Sequence, residues 1–385
     1  MKLTFISNYL TRHQLFLSQE FKRILGEGYT FVATLPPSNI EIEREKCDMN
    51  EKYPFVLQAY KNSTNRKKAN ELAKYSDVVV IGSASDDFIK SRLRREKLTF
   101  KYCERLYKGD MSVKKWVRAY IGTYLHYTQF KKHNFYILAS SAYTTADLNK
   151  FYSFKDKTFK WGYFPEVKKY QDIDKLIKQK TPNSLLWCGR IIDLKHTEAA
   201  VLTAERLKKA GYAFTLNIIG TGNMESYIKQ LITNKKLNDC VHMLGSMSPD
   251  KVRENMEKSE IFIFTSDFNE GWGAVLNEAM NSGCACVASH AVGAAPYLID
   301  SGKNGLLYKN GNGDDLFNKV KYLMDNTQIR RAMGAEAYKT MNVLWNPAYA
   351  AERFISLAEG LLKGDLPYFD EGPCSRADIL KNNWM

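Results

Sequence analysis

Apolar, β-branched runs alternate with helical-period segments along most of this chain, and the rhythm stops near residue 161 and restarts after residue 182. Short apolar runs without polar alternation are the pattern of strands buried on both faces, as in parallel sheets covered by crossover helices. In the first half the expected strands are 3–7, 30–34, 78–82, 99–103 and 135–140; in the second half they are 184–188, 214–219, 241–244, 261–265 and 285–289. The stretch between them, 161–182, carries Gly162, Pro165, Pro182 and many Lys and Asp, and reads as a connector. With 385 residues the chain is long enough for two domains at roughly 100–200 residues each. The expected class is therefore α/β with two Rossmann-like domains, residues 1–165 and 182–345. A helix over 348–363 follows Pro347, and a polar tail runs on to Met385.

A composition of 44% hydrophobic and 25% charged residues excludes a wholly disordered or fibrous chain. The seven cysteines are odd in number, lie mostly in apolar runs and form no C-x-x-C pair. They point to a reducing cytosol rather than to a disulfide framework or a zinc site. Asn8, Arg12 and His13 break the first apolar stretch, and no run reaches the ~18–20 apolar residues of a spanning helix. The expectation is a chain neither exported nor integral to a membrane.

The formal charge of +14 is unevenly placed, with 34 basic against 19 acidic residues over 1–180 and 22 against 23 over 181–385. Segment 90–133 alone holds 13 basic and 3 acidic residues, interleaved with aromatics. Such a patch calls for a polyanion: nucleic acid, an anionic membrane surface or a phosphorylated substrate. Trp116, Val117, Tyr120, Ile121, Tyr124 and Leu125 recur on one helical face, close to Lys114, Lys115 and Arg118. That arrangement suits a helix at a lipid interface, and equally a core-facing stripe with a solvated basic flank. Nucleic acid is disfavoured, because no helix-turn-helix, zinc-finger or RNP-like pattern accompanies the charge.

The segment densest in chemistry is 259–289, SEIFIFTSDFNEGWGAVLNEAMNSGCACVAS. A strand ends at Thr265-Ser266, a loop presents Glu270, Gly271-Trp272-Gly273 turns the chain, and a helix is expected from Ala274 with Glu278 in it. The N-terminus of that helix offers free backbone N–H groups and the positive end of a dipole, which suit a phosphate, the glycines let a ligand approach the main chain, and carboxylates next to them suit sugar hydroxyls. Two surface glutamates on a strand-turn-helix are the plainer alternative.

Glu270 and Glu278, separated by seven residues in the setting EGWGAVLNEAM, resemble the E-x7-E motif of the retaining glycosyltransferases of family 4. The resemblance implies the GT-B fold, two Rossmann-like domains facing across a cleft with the last helix crossing back to the first. Leu185-Leu186-Trp187-Cys188-Gly189-Arg190, followed by Lys195-His196, is similar to the family's strand-GR-(x)n-KG segment, with His196 in the place of the usual glycine. By that resemblance Arg190 and Lys195 clamp the donor diphosphate, neutralising charge on the departing nucleotide. Gly220 and Gly222 lie in the turn that approaches the nucleotide. Leu244 lies in the loop whose backbone reads the base. Residues 293–297 read Gly-Ala-Ala-Pro-Tyr where the family reads GG-x-x-E. A dinucleotide site is disfavoured, since the third glycine is missing after Gly222.

In the first half, Ser7-Asn8-Tyr9 replaces the glycine pair of many relatives, and Glu104-Arg105 stands where many carry a histidine over the donor sugar. His13, Glu104 and Arg105 are acceptor-side candidates: Glu104 for a hydroxyl, Arg105 for a phosphate. A structural histidine and a salt-bridged loop pair are the alternatives.

The resemblance implies a retaining, metal-independent hexosyltransferase with Arg190, Lys195 and Glu270 as catalytic residues. Its donor contacts are Gly189, Gly220, Gly222, Leu244, Gly271, Trp272, Gly273, Ala274 and Glu278. The donor is a nucleoside diphosphate sugar, with UDP expected from its frequency in the family, and no cofactor. The acceptor is a saccharide or a polyprenyl-linked saccharide of surface polysaccharide, capsule or lipopolysaccharide. The location implied is cytoplasmic and peripheral at the inner membrane face through 90–133. A nucleotide-sugar- or nucleic-acid-binding module and a sugar-nucleotide epimerase are the alternatives.

Overall fold

A computed structural model describes residues 1–108, 112–151, 153–154 and 156–385, leaving aside the side chains of Ile40 and Arg44. It holds two parallel sheets in two compact units. One unit comprises Met1–Pro165 with Asn346–Lys381, the other Glu166–Trp345 with Asn382–Met385.

The first sheet is built from β1 (Leu3–Ser7), β2 (Tyr29–Ala33), β3 (Val56–Gln58), β4 (Val78–Ile81), β5 (Thr99–Cys103), β6 (Phe135–Ala139) and β7 (Thr158–Lys160), in the order β3-β2-β1-β4-β5-β6-β7. The second uses β8 (Ser184–Cys188), β9 (Thr215–Ile219), β10 (Val241–Gly245), β11 (Ile261–Phe264), β12 (Ala285–Ser289) and β13 (Leu306–Tyr308), ordered β10-β9-β8-β11-β12-β13. The central runs VVVI in β4 and IFIF in β11 are buried at every position, so apolar side chains cover both faces. In each sheet the order reverses once, between β1 and β4 and between β8 and β11. A parallel sheet leaves a crevice at such a point, beyond the carboxyl ends of the strands.

The ten strands expected from the sequence are all present, with ends shifted by one residue in places. The three additional strands, β3, β7 and β13, have three residues each and lie at sheet edges. Runs that short carry no readable period. Most of the stretch read as a connector, from Glu166 onward, belongs to the second unit and includes a helix, Ile173–Lys178, capped by Asp172.

The helix Pro347–Lys363 begins with Asn346 as its cap and Pro347 in its first turn. Its Phe354 packs edge-on against Phe21 and Phe100 at 5.4 and 4.9 Å. Beyond it, Cys374 and Ala377 donate backbone N–H to Lys160 and Thr158, and Ser375 accepts from Lys160, covering the edge of β7. The last four residues belong to the second unit. The seven cysteines are free. No helix among the described residues is long and apolar enough to cross a membrane.

Arg92, counted from the sequence as part of the basic patch, is fully buried. It donates to Thr99 Oγ1 at 3.0 Å and to the carbonyls of Ser76, Asp77 and Leu98 at 2.6–2.7 Å. Burial lowers its pKa to about 10. Arg92→Met leaves those carbonyls without a donor and is expected to remove about 3 kcal/mol of stability, read as a lower urea midpoint at unchanged slope.

Candidate active site

The reversal point of the second sheet brings two loops together. After β8 the chain passes through Gly189 and Arg190 to the short 3-10 turn Asp193–Lys195; after β11 it passes through Asp267 to Glu270. One buried hydroxyl joins them. Thr265 Oγ1 accepts from the Trp187 indole at 2.9 Å and donates to the Lys195 carbonyl at 2.6 Å. The Asp267 N–H adds a bond to the Leu194 carbonyl at 3.0 Å. With the backbones locked, the Lys195 ammonium forms an ion pair with Glu270, and both side chains are largely buried. Burial pushes the Cys188 thiol up to about 12, with Glu278 adding to the shift and Lys195 opposing it, so both charges reach the end of β8. Arg190 is exposed on the same loop.

The glycines beside these loops serve close backbone approach. Gly220 has φ +135 and Gly222 lies on Ile191, and a Cβ at either would collide with a carbonyl of the β8 loop. Gly189 N–H donates to Ile219 O at 3.0 Å and Gly220 N–H to Gly245 O at 2.8 Å, stitching the ends of β8, β9 and β10 together. Leu244 is exposed on β10, next to that seam.

The helix expected from Ala274 begins at Val275, has Ala274 as its cap and runs only to Asn281. Its Glu278 is half-buried. Trp272, expected at the donor, is fully buried: its indole donates to Asn277 Oδ1 at 2.9 Å and packs near Trp345. Only its backbone is left for a ligand. Gly273, at φ +90, lies under Phe264 and Val292. Gly271 is buried in the same turn.

At the reversal point of the first sheet a cavity of about 500 Å³ opens over Ser7, Gly82, Ser83 and Ser140. His13 and Glu104 both line it. The His13 ring stacks on Tyr163 at 5.0 Å, and the Tyr163 hydroxyl donates to Glu104 at 2.5 Å. Arg105 does not line it. Its guanidinium is buried against Asp147, at 3.2 Å, and the same carboxylate accepts the Leu106 and Tyr107 N–H groups. The salt-bridged reading therefore holds for Arg105, with Asp147 rather than Glu104 as its partner, and the phosphate role is withdrawn. Tyr163 fell in the connector and gave no sequence signal.

Of the basic segment 90–133, residues 109–111 lie outside the described residues, and Arg92, Lys101 and Arg105 are buried. The helix Val113–His126 keeps its apolar stripe in solvent, Trp116, Val117, Tyr120, Ile121, Tyr124 and Leu125 being 46–53% exposed. The stripe is thus about half in solvent, with Trp116 and Tyr120 packed on the buried Phe151 at 5.5 and 5.9 Å.

Residues 168–340 match the model of the family described as glycosyl transferases group 1. The match lies within the second unit, which is similar to that family. Among relatives, the chain is 27% identical over 238 residues to the glycosyltransferase MJ1069 of Methanocaldococcus jannaschii, covering 60% of each chain. It is 26% identical over 170 residues to a poly(ribitol-phosphate) alpha-N-acetylglucosaminyltransferase of Staphylococcus aureus, covering 44% of this chain and 34% of that one. The chain thus spans between a third and three fifths of these relatives. HepE of Anabaena, solved with UDP, superposes with a TM-score of 0.68 at 15% identity over 94% of this chain and all of that one. The shared architecture is GT-B: two parallel-sheet α/β domains.

The stitched glycine turns hold the ends of β8, β9 and β10 together, which makes Gly220 a test of that packing. Gly220→Ala forces a Cβ into the Gly189 carbonyl at a left-handed φ and is expected to cost about 3 kcal/mol in denaturant unfolding. Gly211→Ala, also at positive φ but in open space, is expected to cost about 1 kcal/mol.

Proposed function

We propose that the chain is a retaining hexosyltransferase that moves a sugar from a nucleoside diphosphate donor, UDP-linked, to a saccharide or lipid-linked saccharide of surface polysaccharide or lipopolysaccharide. The observation that carries this reading is the meeting of Lys195 and Glu270 at the crevice of the second sheet, beside exposed Arg190. Relatives support its finer parts: HepE is solved with UDP and glucose, and another structure of the same fold is a lipopolysaccharide outer core galactosyltransferase.

In this reading the bond from the anomeric carbon to the diphosphate oxygen breaks, and one to an acceptor hydroxyl forms on the same face. The hydroxyl proton passes to the leaving diphosphate. Arg190 and Lys195 meet the charge that grows there, and no divalent ion is assigned that role. Glu270 holds hydroxyls of the transferred sugar, and Glu278 those of the ribose. The backbone of Gly189, Gly220, Gly222, Leu244 and residues 271–274 lines the donor. Because Val275–Asn281 spans under two turns, the loop amides rather than a helix dipole are the phosphate donors here. The acceptor sits in the first unit, against the Tyr163–His13 stack and Glu104.

The exposed stripe on Val113–His126, flanked by Lys114, Lys115 and Arg118, supports peripheral attachment to an anionic membrane at the cytoplasmic face.

Lys195→Ala and Arg190→Ala are each expected to lower transfer at least about a hundredfold, Arg190→Ala at unchanged melting temperature and Lys195→Ala with a lowered one, because Glu270 loses its buried partner; full turnover in either removes the diphosphate assignment. Flotation with liposomes containing anionic lipid is expected to carry the protein upward at low salt and release it at high salt. Binding indifferent to both lipid charge and salt contradicts the membrane reading.

A further inference from the structure

His196 is the residue at which this chain departs from the glycine of the family motif. It takes the left-handed backbone that a glycine would supply, with φ 47 and ψ 49. An imidazole is thereby projected from the turn that carries Lys195, and carboxylates meet it on two sides. Nδ1 lies 2.8 Å from Glu198 in the helix Thr197–Lys209, and Nε2 lies 3.3 Å from Asp267 in the loop after β11. Two acceptors on two ring nitrogens require both nitrogens to carry hydrogen, which is the cationic form. Asp267 also accepts the Asn269 N–H at 2.8 Å, and its own carbonyl accepts the Glu270 N–H at 3.1 Å. The carboxylate that holds His196 therefore also shapes the turn that presents Glu270.

We propose that His196 is a positioning residue of the donor site: its cationic ring clasps the turn bearing Lys195 to the loop bearing Glu270. The proposal rests on the transferase reading for its functional consequence and on the ion pairs alone for its geometry.

The other charged groups around the ring are already engaged. A cavity of about 610 Å³ is lined by His196 and Glu198, by Glu205 and Arg206 of the same helix, by Asp267, by Tyr308 of β13, and by Asp314 of the helix Gly313–Asp325. Arg206 pairs with Asp314 at 2.8 Å, and Glu205 pairs with Lys209 and Lys235 at 2.7 and 3.2 Å. On the turn itself Lys195 is paired with Glu270. Glu198 and Asp267 are thus the acidic partners left to the ring, and the cavity gives solvent access to it. The Glu198 hydrogen bond, with Asp267 adding to it and burial opposing, raises the imidazole to about 9. A raised cation is stabilising below its unfolded pKa near 6.5, and that stabilisation is lost as pH rises through about 9.

Two variants separate the clasp from the fold. His196→Gly keeps the left-handed turn and removes the ring. His196→Lys keeps a cation that does not titrate below pH 9.5, in a backbone conformation that Lys46 and Lys236 of this chain already adopt. The first readout is amide hydrogen exchange over residues 265–270 at pH 7, with no ligand added. Faster exchange in His196→Gly than in the wild type is expected, and equal exchange overturns the clasp. The second is UDP affinity by calorimetry from pH 7 to 9.5. The wild type is expected to weaken as pH passes about 9, His196→Gly to be weaker by about tenfold at pH 7 and flat with pH, and His196→Lys to hold its affinity at pH 9.5. Wild-type UDP binding that His196→Gly reproduces in strength and pH dependence overturns the positioning role. Failure of the wild type to bind UDP at any pH, with the exchange difference intact, overturns the donor reading and leaves the clasp standing.

Discussion

A buried hydroxyl, backed by one backbone bond, joins the two loops at the crevice of the second unit. Thr265 is at the end of β11, and its Oγ1 both accepts from Trp187 on β8 and donates to the carbonyl of Lys195. Strands β8 and β11 are the pair between which the sheet order reverses, so their connections leave in opposite directions and open a crevice. Two loops leaving a crevice have no ladder to fix them. The threonine supplies that connection in a place where an unpaired indole N–H or carbonyl would be costly. Lys195 and Glu270, which carry opposite charges and come from the two loops, meet because their backbones are already joined.

The same topology operates in the first unit with different side chains. Ser7 at the end of β1 bonds to Ser83 beyond β4 at 2.9 Å, and Lys101 on β5 reaches the Gly82 carbonyl and Asp86 at 3.0 and 2.8 Å. The charges there are paired: Lys101 has Asp86, and Glu104 has Lys108 at 3.4 Å beside the Tyr163 hydroxyl. A neutral hydroxyl-rich ligand matches that lining better than a second polyanion. The two reversal points differ in chemistry although they share a strand order, as expected when a common fold hosts different sites.

Much of this was legible in the sequence because it depends on local pattern. Buried strands of a parallel sheet are written as continuous apolar runs, and the glycine turns and E-x7-E spacing are contiguous, so the loops that meet at the second crevice could be located before any contact was known. What the sequence hid depends on contacts between distant segments. Arg105 reads like a phosphate ligand until Asp147, 42 residues on, is found holding it. Tyr163 reads as linker, yet its ring and hydroxyl organise His13 and Glu104. Trp272, flanked by glycines in the most informative motif, is a core residue because Asn277 takes its indole proton. Local charge was the least dependable signal, since a buried guanidinium engaged with four backbone or hydroxyl acceptors, as Arg92 is, cannot reach a ligand at the surface.

The Lys195–Glu270 pair also constrains how any anion enters the second crevice. The ammonium already has a carboxylate partner, and both are largely withdrawn from water, so a diphosphate must exchange that contact rather than add to it. Separating the pair leaves Glu270 with a charge in a poorly hydrated place, which is costly unless hydroxyls replace the ammonium. A ligand with a diphosphate at one end and a polyol at the other satisfies both ions in one exchange. Inorganic phosphate satisfies only Lys195. In the proposed reading the pair favours ligands that carry both groups, on loops that Thr265 and the Asp267–Leu194 backbone bond keep from drifting apart.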